Sequence, residues 1–155
     1  MSSPLLNTEY ACTARVLLGD PIVVGQGPQG LRRYVPILGG TVSGPLLTGR
    51  VLPAGGDLQV MRADQVLAVE ASYLIETDGG LRIAVLNRGL RHGPPEVMTR
   101  LSAGETPAAS EYYFRTAAQF EAPLGSAYEW VNQTLFAATA ERRPDAAIVH
   151  FFRIL

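Results

Sequence analysis

The 155-residue chain predicts an all-β fold, a sandwich or a barrel, on three observations. Short runs rich in β-branched and aromatic residues recur along the chain, each stopped by a Gly, Pro or Asp-Gly signal. No long stretch has a helical apolar period, and no internal repeat is present. One stretch, residues 66–88, reads as a hairpin whose register can be argued from its side chains.

That hairpin is VLAVEASYLIET, Asp78-Gly79-Gly80 and LRIAVLNR. Its loop contains the glycine that positive φ requires. With Thr77 opposite Leu81, Glu76 faces Arg82 and Glu70 faces Arg88 on one side. The other side pairs Ile75 with Ile83, Tyr73 with Val85 and Ala71 with Asn87. Opposite charges on one face and apolar pairs on the other both favour this register, each pair contributing roughly 0.2–1 kcal/mol. A slip of one residue would destroy both patterns.

The remaining elements follow in order. TEYACTARVLL (8–18) reads as a first strand, stopped by Gly19-Asp20-Pro21. After PIVV, the Gly-Gln-Gly-Pro-Gln-Gly run is a turn into a strand around Leu31 to Ile37. It precedes no helix, so a phosphate-binding reading lacks its helix N-terminus. Glycines 39, 40, 44, 49, 55 and 56 mark bends or close backbone approaches among short β pieces, as a barrel needs at its corners. After the hairpin comes a linker in which Val97 to Leu101 reads as a short strand or a helical turn. SEYYFRTAAQFEAP resumes strand character, with Tyr112 and Phe114 on one face and Tyr113 and Arg115 on the other. SAYEWVNQ predicts a helical turn with Ser126 as N-cap and Glu129 as capping-box partner. TLFAAT reads as a strand or as that helix continuing. The Pro144-Asp145 turn favours a final hairpin with arms Thr134 to Arg142 and Ala146 to Leu155.

Composition bounds the function. The chain is 47% hydrophobic and 17% charged, which predicts one domain over 1–155 with a sizeable core. A net charge of −1, spread along the chain, offers no basic surface for nucleic acid. The first residues lack the basic and apolar regions of a signal peptide, and no apolar run reaches membrane-spanning length. A lone cysteine suits a reducing compartment, so a cytoplasmic location without a membrane partner is expected. His92 and His150 have no ligand spacing between them, which predicts no metal, and no Gly-x-Ser-x-Gly is present to support a familiar hydrolase.

VPILGGTVSGPLLTGRVLPAGGD, EASYLIETDGG, SEYYFRTAAQFE and YEWVNQTLFAA, in this order, resemble the DUF3237 family, also called UPF0311. The resemblance runs roughly from Tyr10 to the end. It implies a single antiparallel β-barrel of calycin-like appearance, commonly a homo-oligomer; the residues themselves leave room for at most one or two short helical turns, and no cofactor is expected. It also implies cofactor-free ring-forming activity for some fungal members. The chain departs from the family pattern at Leu58, where a tryptophan is usual, at Ser72, where an arginine is usual, and at Gly79, where a second aspartate is usual.

Two carboxylates are the candidate acid/base groups. Asp57 follows two glycines at a strand end, and the resemblance retains this acid; its ordinary reading is a loop cap. Glu70, held by Arg88, suits proton transfer or polar-ligand binding if its face lines the lumen. If that face meets solvent the pair is a cross-strand ion pair, and the apolar opposite face favours this. Tyr73, Tyr113, Arg115 and Trp130 are candidates for lining a pocket for a small apolar or aromatic molecule, against the ordinary reading of core packing. Arg115, flanked by aromatics, suits a carboxylate anchor. The expected function is a cofactor-independent isomerase, cyclase or lyase; the alternative is a non-catalytic small-ligand-binding or oligomeric structural barrel. Self-association is further expected if the apolar run Ala146 to Leu155 forms an edge strand.

Overall fold

A computed structural model describes residues 4–155. Ten strands follow in chain order: β1 (Thr8–Leu18), β2 (Ile22–Gly27), β3 (Gly30–Ser43), β4 (Gly49–Val51), β5 (Gly56–Met61), β6 (Leu67–Thr77), β7 (Arg82–His92), β8 (Tyr113–Glu121), β9 (Phe136–Arg142) and β10 (Ala146–Ile154). One helix, α1 (Pro95–Ser102), and two 3-10 turns, Ala109–Glu111 and Glu129–Gln133, interrupt them.

Pairing runs β1-β10-β9-β8-β7-β6 and then through β4 and β5 to β3, and β3 pairs back onto β1. The result is a closed antiparallel barrel of eight staves. β4 and β5 lie end to end between β3 and β6 and share one stave, while β2 extends the β3 hairpin beyond the ring. Closure leaves the ring itself without an unpaired edge.

The β6–β7 register is the one the side chains dictate. Ile75 pairs Ile83, Tyr73 pairs Val85 and Ala71 pairs Asn87, with Glu76 opposite Arg82 and Glu70 opposite Arg88. The Thr77 N–H donates to the Leu81 carbonyl at 2.7 Å and closes the loop. Glu76 also receives Arg50 from β4 at 3.0 Å, in addition to Arg82 at 3.3 Å. The apolar face points inward, and Ile75 and Ile83 are fully buried. Glu70 and Arg88 are joined at 3.2 Å on the outside.

Two local expectations change. Val97 and Leu101 lie on one buried side of a true helix, which starts at Pro95, a residue pre-set for the first helical turn. Ser126 does not cap a helix; its hydroxyl donates to the Pro123 carbonyl at 2.7 Å, and helical geometry begins only at Glu129. The final hairpin forms as read, but β10 lies between β1 and β9, so the C-terminal run has no free edge. The edge-pairing reason for self-association therefore does not apply to it.

One end of the barrel is filled. Phe120, Phe136 and Phe151 meet edge to face there, with ring centroids 4.5 and 5.1 Å apart. The Glu129–Gln133 turn is held beside this end by Asn132, which accepts the Ala122 N–H at 2.7 Å and donates to the Ala122 carbonyl at 2.9 Å. The opposite end, beside α1, stays open. Cys12 is buried in the wall, and burial pushes its thiol up to about 12. Native protein in mildly alkaline buffer is therefore expected to resist iodoacetamide at Cys12, with rapid alkylation once denaturant is added. Alkylation of the native protein at the denatured rate would contradict this placement.

Candidate functional site

Strand alternation aims a single set of side chains into the open end. On β3 these are Arg33, Val35 and Ile37; on β5, Asp57 and Gln59; on β7, Asn87 and Arg91; on β8, Phe114 and Thr116. Arg142 closes the ring at the end of β9. Leu101 and Ser102 of α1 wall one side of the mouth.

Asp57 sits at the junction of two spaces. Outward lies a mouth cavity of about 270 Å³, and inward a narrow chamber of about 40 Å³ reaching toward Tyr73, Asn87 and Thr116. Asp57 lines both. Its position depends on Gly55, at φ +86°, where the chain runs hard against the Ser72 carbonyl. Gly56 follows, with the Tyr34 ring where a side chain would be.

The β5–β6 ladder is interrupted after the Asp57–Ala71 pair and resumes at Val60–Ala68. In the gap, the Glu70 backbone N–H donates to Asp57 Oδ1 at 2.8 Å. Gln59 Nε2 donates to Asp57 Oδ2 at 2.6 Å, and Gln59 Oε1 accepts from Arg33 Nε at 2.7 Å. Asp57 thus reaches Arg33 only through Gln59 and forms no ion pair. Burial holds its pKa above the usual carboxylate range, outweighing the Gln59 and Glu70 hydrogen bonds and the fields of Arg91 and Arg33.

Three buried polar atoms of the chamber, Tyr73 Oη, Asn87 Oδ1 and Thr116 Oγ1, have no hydrogen-bond partner among the described residues. Native cores seldom leave such groups unpaired, so water or a ligand would complete them. Burial pushes the Tyr73 phenol up, so it remains a hydroxyl donor at neutral pH. Among the described residues no cluster of His, Cys, Asp and Glu is arranged to hold a metal ion. No helix among them is long and apolar enough to cross a membrane.

Of the residues singled out in the sequence, Asp57 and Tyr73 meet at the chamber. Glu70, Arg88, Tyr113 and Arg115 do not, because alternation turns all four outward. Glu70 enters the site through its backbone N–H alone. Arg88, Tyr113 and Arg115 instead line a wide, shallow depression of about 620 Å³ on the outer face of β7–β9. There the Arg115 guanidinium lies 5.7 Å from the Tyr113 ring centre, and His92 stacks on Tyr113 at 4.8 Å. No carboxylate lines that depression, so it lacks a proton-transfer group of Asp57's kind. Trp130 packs at the filled end, 6.0 Å from Phe136, with Arg153 over its ring at 5.2 Å. Glu70→Gln is expected to change denaturant stability by no more than about 0.5 kcal/mol, as for other exposed pairs. A loss of several-fold that size in urea titrations would contradict the exterior placement.

Sequence reasoning missed Arg33, Gln59, Arg91 and Arg142. Period-two alternation carried the signal: steps of two lead from Ile83, Val85 and Asn87 to Arg91, from Phe136 to Arg142, from Ile37 and Val35 to Arg33, and from Asp57 to Gln59.

The same arrangement of strands occurs in known proteins. The sequence profile described as protein of unknown function (DUF3237) matches residues 6–154. The UPF0311 protein of Rhodopseudomonas palustris is 38% identical over 99% of both chains. Its crystal structure superposes with a TM-score of 0.93, covering 99% of this chain and 100% of that one. A protein from Acinetobacter baumannii described as β-barrel-like is 32% identical, with a TM-score of 0.85 over 99% of both chains. A chain from Penicillium herquei described as an enzyme shares the fold at 21% identity, with a TM-score of 0.72 over 100% of this chain and 99% of that one. On the profile match and the near-full-length identity to the bacterial relatives, this chain belongs to the DUF3237 family, also designated UPF0311.

Proposed function

We propose that the protein is a cofactor-independent enzyme that moves a proton on a small apolar or aromatic molecule held at the barrel mouth, in an isomerisation, cyclisation or elimination. The observation that supports this most is the lone carboxyl shared by mouth and chamber, with a raised pKa and facing unpartnered donors and acceptors. Ionised, Asp57 takes a proton from a substrate C–H or O–H; protonated, it returns that proton to another atom of the same molecule. A pKa raised by burial makes the protonated form less costly than for an ordinary carboxyl, which favours the return step.

The surrounding groups divide the remaining tasks. Gln59 and the Glu70 N–H fix the orientation of the carboxyl, so no rotamer search precedes transfer. Tyr73 Oη and Thr116 Oγ1 donate to oxygens on the substrate, while Asn87 Oδ1 accepts. Charge that develops on a substrate oxygen near the mouth meets the field of Arg33 and Arg91. The Penicillium herquei chain described as an enzyme lends fold-level support.

A retained metabolite provides the test. Protein exposed to a metabolite extract, washed and denatured should release a compound identifiable by mass spectrometry. The wild type should convert that compound, or exchange one of its carbon-bound hydrogens in D2O, whereas Asp57→Asn should not. A compound that is retained but neither converted nor exchanged by wild type would establish the binding-protein reading in place of the enzyme.

A further inference from the structure

We propose that the mouth is an organic-anion site: Arg91, flanked by Arg33 and Arg142, binds a carboxylate on the substrate, whose apolar part lies in the mouth and points toward the narrow chamber beyond Asp57. This rests on the reading that the mouth and chamber form the small-molecule site, and it adds the class of substrate.

The charges lining the mouth do not balance. Arg33, Arg91, Arg142 and Arg143 stand against two acids, Asp57 and Glu105. Arg143 is engaged by Glu141 at 3.4 Å, and Glu105 by Arg100 at 3.6 Å. That leaves three guanidiniums facing one carboxyl. None of the three forms an ion pair with any carboxylate among the described residues, although exposed arginines elsewhere on the barrel do. Partly buried like charges cost stability unless an opposite charge completes the group. The cost shows on Arg91, whose pKa falls to about 10 through burial and the repulsion of Arg33 and Arg142.

The three arginines are not equally free. Arg33 Nε is engaged by Gln59, and Arg142 Nη1 by the carbonyls of Ala146 and Arg143. Arg91 keeps its fork. Its Nε is buried without an acceptor, and its guanidinium is braced 5.7 Å from the Phe114 ring centre. A planar guanidinium with open donors matches the two oxygens of a carboxylate in the bidentate manner. Asp57 does not fill this role: its field reaches Arg91, but Gln59 and the Glu70 N–H orient the carboxyl so that it forms no ion pair with Arg91.

A carboxylate fits better than a phosphate. The space beyond the arginines narrows between Val69, Ala71 and Val149, which suits a mostly hydrocarbon body that carries no more than a neutral oxygen for Tyr73, Asn87 or Thr116. A carboxylate joins such a body through a single bond and brings one charge, whereas a phosphate dianion adds a larger desolvation cost. Anchoring at Arg91 would also set the carbons next to the carboxylate on the side of the mouth that Asp57 faces.

Calorimetric titration of the full chain at neutral pH with benzoate and 3-phenylpropanoate, against benzamide, 3-phenylpropanamide and inorganic phosphate, tests this. The acids should bind about tenfold or more tighter than the amides of the same shape, as expected for charge-assisted hydrogen bonds. Arg91→Gln should remove that preference by weakening acid binding far more than amide binding; Arg91→Lys should restore part of it. The acid-against-amide comparison uses wild type, so the proposal stays testable even if Arg91 variants fold poorly. Equal binding of acid and amide, no binding of either acid in the millimolar range, full acid affinity in Arg91→Gln, or phosphate binding as tightly as the acids would each overturn it. Asp57→Asn separates this proposal from the acid/base reading. That variant should bind 3-phenylpropanoate at least as tightly as wild type, having lost the facing negative charge. Turnover retained by Asp57→Asn would remove the proton-transfer role and leave the anion site standing, while an absent acid preference would do the reverse.

Discussion

Asp57→Asn is expected to lower turnover by about 10²- to 10⁴-fold, the range for removing a general acid/base, with substrate affinity preserved. Asparagine keeps the shape and one acceptor for the Glu70 N–H but cannot cycle a proton. The wild-type rate should titrate with a group above the ordinary carboxylate range, and this titration should vanish from the residual rate of the variant. A stability signature should accompany it. The folded state holds the Asp57 proton more tightly than the unfolded chain, whose carboxyl has an ordinary pKa near 3.8. Protonation therefore favours folding. The contribution is fully present below the unfolded pKa, is lost as pH rises through the folded pKa, and is constant above it. Glu76, held by Arg50 and Arg82, and Asp64, held by Arg62, act in the opposite direction, since their lowered pKa values make their contribution disappear in acid. Asp64 is exposed and Glu76 half-buried on the outer face, and both are unchanged in Asp57→Asn. The stability of Asp57→Asn relative to wild type should accordingly rise as pH increases from about 4 and then level off. Parallel melting curves for the two proteins across this range would contradict a raised Asp57 pKa.

The elements legible in the sequence are those whose two faces differ. In β6 and β7 charge pairs and apolar pairs demanded the same register, and the barrel interior follows from it. Closure was not legible in that way. The β1–β3 pairing joins residues such as Thr13 and Ser43 that carry no cross-strand signal, and the interruption between β4 and β5 depends on how Gly55 passes Ser72. The Ala146 to Leu155 run looks like an edge because it is apolar, but it is apolar because β1 and β9 flank it and its inward side chains fill the core. For the site, glycines preceding Asp57 pointed to the acid that lies at the open end of the barrel. Glu70 looked equivalent because it had a partner of opposite charge, which on a barrel wall more often marks the outside. The arginines of the mouth stayed hidden because they come from three strands far apart in sequence, β3, β7 and β9, and only closure of the ring brings Arg33, Arg91 and Arg142 around one opening.

Gly55 and Gly80 allow the backbone's part in placing Asp57 to be measured. Both have φ +86°, so alanine at either carries the same left-handed strain, about 1–2 kcal/mol. Around Gly80, in the β6–β7 turn, nothing lies within 4 Å of an added Cβ. At Gly55 an added Cβ would overlap the Ser72 carbonyl oxygen and approach Tyr73 Cα at 3.2 Å. These are backbone atoms of β6, which cannot rotate away. Gly55→Ala should therefore lose about 2–5 kcal/mol in urea titrations, strain and overpacking together, against about 1–2 kcal/mol for Gly80→Ala. The loss at Gly55 should also reach the chemistry. The Gly55 carbonyl accepts the Ile37 N–H at 3.1 Å, so β5 is fixed to β3 on one side while the new methyl pushes it from β6 on the other. Asp57, two residues on, takes its hydrogen bond from Glu70 across that same gap at 2.8 Å. Widening the gap would lengthen this bond and turn the carboxyl from the chamber, so Gly55→Ala should lose turnover while still folded, and Gly80→Ala should keep it. Equal destabilisation by the two substitutions would show that the close approach to Ser72 is not what holds this corner. Full turnover in Gly55→Ala would show that Asp57 is positioned by Gln59 without help from the β6 backbone.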